Sequence, residues 1–393
     1  MSVSTTPSAV PTRPPWTAWL AVVSVTLGIF SIVTTEIMPI GLLTPIGSTF
    51  GISDGTAGLM MTTPGVLAAI AAPVVTGAAG RLDRRLLLGA LMLVLACADV
   101  LAAVAPSYPV LMVSRVLVGV VIGAFWSIAA GLAARLVPPH RVARATAVIF
   151  SAVPLGSVLG VPAGTYVGAQ LGWRATFAVL GVLTAGVLAA LIAFVPPLPV
   201  AGATRLGALG GLLRTRAVRR ALLVTFLIVL AHFGTYTYVT PLLEQVTHAG
   251  PALITVLLFG YGVAGITGNF VAGAWAARRP RATFAAGALL LAVATTALPF
   301  AGGTTSGAAV LLVVWGLAYG VVPVCSQTWF ALAAPRAPEA ASVLFTSSFQ
   351  ATFSLGAFAG GVLVDMSSVR ATMVAGGVAA FATAALVLTS SKR

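Results

Sequence analysis

The arginines of this 393-residue chain fall in every second gap between its apolar stretches, and that alternation constrains the fold more than any other feature. Between Trp16 and Ser390 about twelve apolar stretches of roughly 18–25 residues follow one another, each long enough to cross a bilayer as a helix. Arg81, Arg84 and Arg85 follow the second stretch, Arg135, Arg141 and Arg144 the fourth, and Arg205, Arg214, Arg216, Arg219 and Arg220 the sixth. Arg278, Arg279 and Arg281 follow the eighth, Arg336 the tenth, and Lys392 and Arg393 the last, while Arg13 precedes the first. The intervening gaps hold Arg174 and Arg370, both at helix starts. Loops rich in Lys and Arg stay in the cytoplasm, so the pattern predicts an even number of crossings with both termini cytoplasmic. The expected crossings are 17–42, 56–79, 86–105, 109–133, 145–169, 174–195, 221–243, 252–276, 282–300, 307–331, 340–364 and 371–389. The fold class is therefore all-α membrane, with twelve transmembrane helices.

Composition narrows the function classes. Charged residues make up 7% of the chain and hydrophobic ones 59%, where soluble proteins are about a quarter charged. A pI of about 11.4 would suggest a nucleic-acid partner in a soluble protein. Here the charge is confined to the cytoplasmic gaps, where it matches the anionic inner leaflet, so the expected partner is the lipid bilayer and not a nucleic-acid polymer. Residues 1–15 are polar and Pro-rich, lack the apolar core and cleavage site of a signal peptide, and read as a disordered cytoplasmic tail. Cys97 and Cys325 lie in different crossings, and nothing in their spacing supports a disulfide. Lys392 is the only lysine, which rules out a G-x-x-x-x-G-K-[ST] phosphate loop. His140, His232 and His248 have no metal-ligand spacing, so no metal or cofactor is expected. No Ser/His/Asp constellation stands out either. The chain does not read as an enzyme.

Residues 196–220 contain Pro196, Pro197 and Pro199, several glycines and five arginines, and they split the chain almost in half. They read as a cytoplasmic linker between six-helix bundles at 16–195 and 221–390. The halves repeat. Ala145-Thr146-Ala147-Val148-Ile149-Phe150-Ser151 is answered by Ala340-Ala341-Ser342-Val343-Leu344-Phe345-Thr346, and Gly160, Gly164, Arg174, Ala175 and Thr176 by Gly356, Gly360, Arg370, Ala371 and Thr372. Gly80 through Arg85 is echoed by Gly273 through Arg279. Two repeats of six helices begin on the same side of the membrane, the arrangement of transporters that rock two halves around a central site.

Several passages, in order, resemble the major facilitator superfamily, and within it the twelve-helix drug:proton antiporter branch. They are Thr35-Glu36-Ile37-Met38-Pro39 with Leu42-Leu43-Thr44-Pro45, Gly51-Ile52-Ser53-Asp54-Gly55, Gly123-Ala124-Phe125-Trp126, Arg135-Leu136-Val137-Pro138-Pro139, Gly172-Trp173-Arg174, Thr237-Tyr238-Val239-Thr240-Pro241 and Trp315-Gly316. The resemblance spans residues 17 to 389 and looks closest to bacterial purine ribonucleoside efflux pumps, with sugar efflux relatives behind them. Gly80-Arg81-Leu82-Asp83-Arg84-Arg85 sits where the family keeps its loop 2–3 signature, in a contracted form. The resemblance implies a cytoplasmic gate of Asp83, Arg84 and Arg85, in which Asp83 reaches the start of crossing eleven; the plainer reading is that these charges set topology. Gly156, Gly160, Pro162 and Gly164, with Gly168, resemble the branch's helix-5 motif and imply a pliable seam against crossing eight. Plain helix packing is the alternative.

Glu36 is the residue that matters most. An acid within a span costs about 2.5–3.5 kcal/mol on insertion scales and marks a functional candidate. Glu36 lies about 7 residues before the outer end of crossing one, or about 10 Å at 1.5 Å per residue. Arg115 lies about 6 residues after the start of crossing four, so the two fall at similar depth. Helices one and four line the central cavity in the family that the chain resembles. The expectation is that Glu36 and Arg115 lie close together, that the cation favours an ionised Glu36, and that withdrawing it or filling the site favours proton uptake. The alternatives are a static pair or a Glu36 that reaches outer water. Asp99, the other acid inside a span, matches no family motif and is expected to face outer water or pair locally. Thr34, Trp126 and Ser127 in the first half, with His232, Tyr236, Tyr238, Asn269, Trp315, Tyr319, Gln327 and Gln350 in the second, supply the aromatic faces and polar groups of a cavity for a flat, polar ring. Singly, each is as readily an interhelical bond or an interfacial anchor.

The reading is a monomeric secondary transporter in a bacterial inner membrane. It is expected to exchange protons for a small polar solute, purine ribonucleosides first, by alternating access. Sugar or drug export within the family is the first alternative. An uncoupled facilitator, a channel or a membrane sensor is the second.

Overall fold

The computed structural model describes residues 15–78, 83–129, 132–198, 211–276, 278–334 and 338–389. The tail expected at 1–15 therefore lies outside the described residues apart from Pro15, as do linker positions 199–210, Arg81, Arg336, Lys392 and Arg393. Twelve helices among the described residues are long and apolar enough to span a membrane. They are α1 (Pro15–Ile37), α2 (Asp54–Ala78), α3 (Arg84–Ala103), α4 (Tyr108–Ala129), α5 (Val142–Leu171), α6 (Trp173–Phe194), α7 (Arg216–Tyr236), α8 (Pro251–Ala276), α9 (Pro280–Ala301), α10 (Thr305–Ala333), α11 (Pro338–Met366) and α12 (Val369–Thr389). These agree with the expected crossings apart from a few residues at the ends.

The main departures are at the first and seventh crossings, each read as one helix and each broken in the structure. After α1 comes a 3-10 turn, Met38–Leu42, and then a short helix, Leu43–Phe50. After α7 comes a short helix, Val239–Val246. Proline explains both breaks. Pro39 and Pro241 have no N–H to offer the carbonyl four residues back, so the regular helix ends just ahead of them. The short helix after α1 ends at Gly51, whose φ of 64° is a left-handed conformation that favours glycine.

Most buried apolar side chains of α1, α3, α4, α5 and α6 form one cluster around Ile29, Met92, Ile122 and Phe125. Those of α7 through α12 form another around Ile228, Leu291, Trp315 and Met373. Between lipid-facing helices there is little hydrophobic driving force, so close backbone approach must supply the packing. The α8–α10 seam does this with glycine. A Cβ on Gly316 or Gly320 would sit 2.1 Å from the carbonyls of Tyr261 and Gly265 respectively. The α5 glycines work the same way, against a different neighbour from the one expected. Gly156, Gly160, Gly164 and Gly168 face Val33, Thr34, Met38 and Leu42, on α1 and the turn beyond it. The seam with α8 is made instead by Val158 against Gly262. Pro162 lies inside α5 together with Pro154.

Candidate functional site

Arg115 is fully buried, and prolines explain where it points. The carbonyls of Thr35 and Met60 would ordinarily receive N–H groups from residues 39 and 64, and both of those are proline. Arg115 supplies the missing donors. Its Nη1 donates to the Thr35 carbonyl at 3.0 Å and its Nε to the Met60 carbonyl at 3.1 Å. Its Nη2 donates to the Glu36 carbonyl at 3.1 Å. The guanidinium thus ties α1 and α2 to α4 and is anchored on backbone within the first six helices. It meets Glu36 through the main chain.

The Glu36 carboxylate turns the other way. Its Oε1 accepts a 2.9 Å hydrogen bond from the Gln350 amide on α11, so the acid bridges the first and second sets of six helices. Both side chains are 8% exposed. Gln350 is among the expected cavity residues, but nothing in the sequence pairs it with Glu36. Asp99 does not face water as one of the two expectations had it. It is 1% exposed, and its Oδ2 accepts from the hydroxyls of Thr35 at 3.4 Å and Thr184 at 3.3 Å.

At the corresponding depth the second six helices present rings. His232 lies between Tyr319, with centroids 3.4 Å apart and planes 7° apart, and Tyr236, at 5.2 Å and 18°. Tyr236 in turn stacks on Tyr261 at 4.6 Å. Trp315 Nε1 donates to His232 Nδ1 at 3.2 Å, and the Tyr261 hydroxyl lies 3.5 Å from His232 Nε2. A ring nitrogen that accepts from an indole carries no proton, so this network assigns a neutral His232 with its hydrogen on Nε2. Tyr319 and Phe349 are only partly buried at the edge of this cluster.

The remaining cavity candidates scatter. Thr34 is buried against Gly160, and its hydroxyl has no partner among the described residues. Trp126 is half-buried beside Phe125 and Phe150. Ser127 lies on α4, with its side chain outside what is described. Tyr238 does not line a cavity. It is fully buried, donates to the Ala357 carbonyl at 2.8 Å, and occupies space left by Gly58 and Gly361. Asn269 is half-buried on α8 beside the glycine seam. Gln327 is exposed, eight residues past Tyr319, or about 12 Å along α10.

Sequence reasoning also missed how one end closes. Asp365, near the end of α11, accepts from the Ser53 hydroxyl at 2.7 Å and from the Gly55 N–H at 3.0 Å, at the start of α2. A carboxylate there is favoured by the helix dipole. Thr44 donates to Glu244 at 2.7 Å, and Thr240 to the Ile40 carbonyl at 2.9 Å. An acid at the end of one crossing and Ser-Asp-Gly at the start of another were the available signals, but nothing in the sequence pairs them.

At the opposite end Asp83 makes no bond to α11 among the described residues. It caps its own helix, accepting from the Arg85 N–H at 2.7 Å, and takes the Leu198 N–H on both oxygens at 3.1 Å. Arg84 returns its N–H to the Leu198 carbonyl, and the Arg85 guanidinium donates to the Ile192 carbonyl. Burial pushes the Asp83 carboxyl up, but the N–H groups of Leu198, Arg85 and Leu86 outweigh it and hold the group below the usual carboxylate range.

Twelve apolar helices around a seam of one acid, one fixed arginine and a cluster of rings define a polytopic membrane transporter. Residues 23–343 and 221–393 match the model of the Major Facilitator Superfamily, and the chain belongs to that family. It is 36% identical over 86% of its length to "Inner membrane transport protein YdhP" of Escherichia coli, covering 87% of that protein. It is 33% identical to "Transcription regulatory protein OpdE" of Pseudomonas aeruginosa, covering 94% of this chain and 92% of that one. It is 30% identical to "Purine ribonucleoside efflux pump NepI" of Escherichia coli, covering 97% and 96%. Among solved structures, a bacterial homologue of the human lysosomal transporter Spinster, inward-facing and occupied, superposes with a TM-score of 0.76 at 16% identity, covering 96% and 97%. The protein is a multi-pass membrane transporter and not an enzyme.

Proposed function

We propose that the protein exports a small polar solute, purine ribonucleosides first, in exchange for protons across a bacterial inner membrane. The observation that carries this reading is the Glu36–Gln350 hydrogen bond. An ionisable group within hydrocarbon depth links the two sets of helices, so opening the seam must change its surroundings and its proton affinity. Arg115 is fixed to backbone carbonyls and stays as the seam opens. Gln350 is the partner that leaves. Cargo would bind between Glu36, Gln350 and the edge of the ring cluster at Tyr319 and Phe349, where aromatic faces stack on a flat base and the amide orients it. The relative named as a purine ribonucleoside efflux pump favours that cargo over a sugar or a drug.

In this reading residues 16–195 and 221–390 are two six-helix repeats joined by the 196–220 linker, with both termini cytoplasmic as the arginine pattern requires. The Asp365 end then faces the periplasm and is closed, and alternating access opens it while closing the other. Arg84 and Arg85 would meet the second half only in that other state. Asp83 would keep the start of the linker docked throughout. Nothing in the reading needs more than a monomer.

The test is inosine transport in proteoliposomes with an imposed proton gradient. Uptake against the inosine gradient that stops when a protonophore is added fits antiport. Transport unchanged by the protonophore means an uncoupled facilitator. A membrane sensor is the second reading, favoured by the relative named as a transcription regulatory protein. Inosine, arabinose and drug-like cations all failing to move in the same vesicles would favour the sensor.

A further inference from the structure

At the Asp365 end, the start of α2 meets the second set of helices in a lopsided joint. The first set brings backbone and one hydroxyl. Gly55 and Gly58 are both buried and lie about one turn apart on α2. The three atoms nearest a Cβ on Gly58 all belong to Tyr238, and the phenol hydroxyl would overlap it. A Cβ on Gly55 would overlap the Asp365 carboxylate and the Gly361 carbonyl. The second set brings the side chains that fill these gaps. Tyr238, fully buried, comes from the break after α7, and Asp365 from the end of α11. Gly360 and Gly361 make room for the phenol on the α11 side.

The hydrogen bonds let this joint part without stranding a group. The Tyr238 hydroxyl donates to the Ala357 carbonyl at 2.8 Å, within its own set of helices, and keeps that partner when α2 moves away. Asp365 and Ser53 are exposed, so water can take the place of either. Ser53 also accepts from the Thr56 N–H at 3.1 Å, which leaves α2 a cap of its own once Asp365 withdraws. What parting removes is the fit of the phenol against Gly58 and the bond from the Gly55 N–H to Asp365 at 3.0 Å. Packed contacts of this kind are either made or broken, with no stable halfway position.

We propose, on the reading that the Asp365 end opens during transport, that Tyr238 and Asp365 are the latch of that end. The phenol seats against Gly58 and the carboxylate against Gly55 when the end shuts, and both leave together when it opens. Their fit sets how much of the protein rests shut.

Gly58 offers the sharpest probe. A methyl group there meets the phenol only in the shut form, and alanine is the better helix former, so the open form is not weakened. In a seam that never parts, the same methyl would only destabilise the protein.

Spin labels on Ser48→Cys and Ser367→Cys, both exposed and on opposite sides of the joint, read the opening as a distance by pulsed EPR in lipid nanodiscs. The background is Cys97→Ser with Cys325→Ala, which removes the two free cysteines. Gly58→Ala is expected to raise the ratio of long to short distances about tenfold or more. Asp365→Ala is expected to raise it about fivefold, as for loss of a helix cap. In Tyr238→Ala the space beside Gly58 is empty, so adding Gly58→Ala is expected to change the ratio no further. A Gly58→Ala protein with the distances of its parent overturns the latch, whatever its thermal stability. So does a Gly58→Ala effect that persists undiminished in Tyr238→Ala. If Gly58→Ala does not fold, an unchanged ratio in Asp365→Ala overturns the latch instead. The distances involve neither cargo nor protons. A failed latch with inosine still exported against a proton gradient leaves the transport reading standing, and distances that respond as expected while no solute moves overturn that reading alone.

Discussion

The two sets of six helices place opposite chemistry at the same depth. The first offers Glu36, Asp99 and Arg115 set among hydroxyls. The second offers His232, Tyr236, Tyr261, Trp315 and Tyr319 as a stack of neutral rings. In the proposed repeat, at the offset of 196 that relates Gly160 to Gly356, Glu36 corresponds to His232, so one copy has an acid where the other has a neutral ring. On the proposed function that difference separates the tasks: protons belong to the first half and flat rings to the second, and the seam between Glu36 and Gln350 is where the two communicate.

The largest expected effect comes from removing the cation. Arg115→Gln removes a buried cation and leaves two carbonyls that prolines have already deprived of donors. Breaking a buried charge arrangement in this way costs about 3–5 kcal/mol, so thermal unfolding of the purified variant should show a large loss of stability. Arg115→Lys should not rescue it, because an ammonium cannot reproduce a rigid three-way fork. A lysine variant as stable as the parent would mean that the carbonyl contacts contribute little.

On the ring side, Tyr319→Ala should weaken inosine binding about tenfold or more, within the roughly 1–3 kcal/mol that a base–aromatic stack contributes. The pH dependence of binding should stay as in the parent. A shift in pH dependence with affinity intact would reverse the division of labour between the halves.

The sequence made the helices and the two acids inside them, Glu36 and Asp99, legible, because apolar length, alternating arginines and the cost of burying charge act locally. It could also have revealed the Arg115 clamp, since Pro39 and Pro64 each stand four residues after an orphaned carbonyl. Other features had no local signal. Glu36 meets Gln350 across 314 positions, and Asp365 meets Ser53 across 312. Tyr238 reads as a cavity residue because its aromatic-polar neighbourhood suits one; only the gaps at Gly58 and Gly361 make it a buried pin. The α5 glycines signalled close packing without saying which helix would be packed against.

The smallest effect belongs to the end far from Asp365. Asp83→Ala removes the N-cap of α3 and the anchor of Leu198, a loss of about 1 kcal/mol. The Asp83 carboxyl is held below its ordinary range in the folded chain. Its contribution is therefore present at neutral pH and is lost as pH falls through the folded value. The stability difference between parent and variant should shrink on acidification, and a difference that grows would contradict the cap.

The most direct measurement is proton release when inosine is added to reconstituted protein in weakly buffered medium. Cargo and proton must exclude one another in an exchanger, so the account reverses the expectation that filling the site favours proton uptake: it predicts release that saturates with inosine in the parent protein and is absent in Glu36→Gln, whose inosine binding persists. Equal release from both proteins would contradict it.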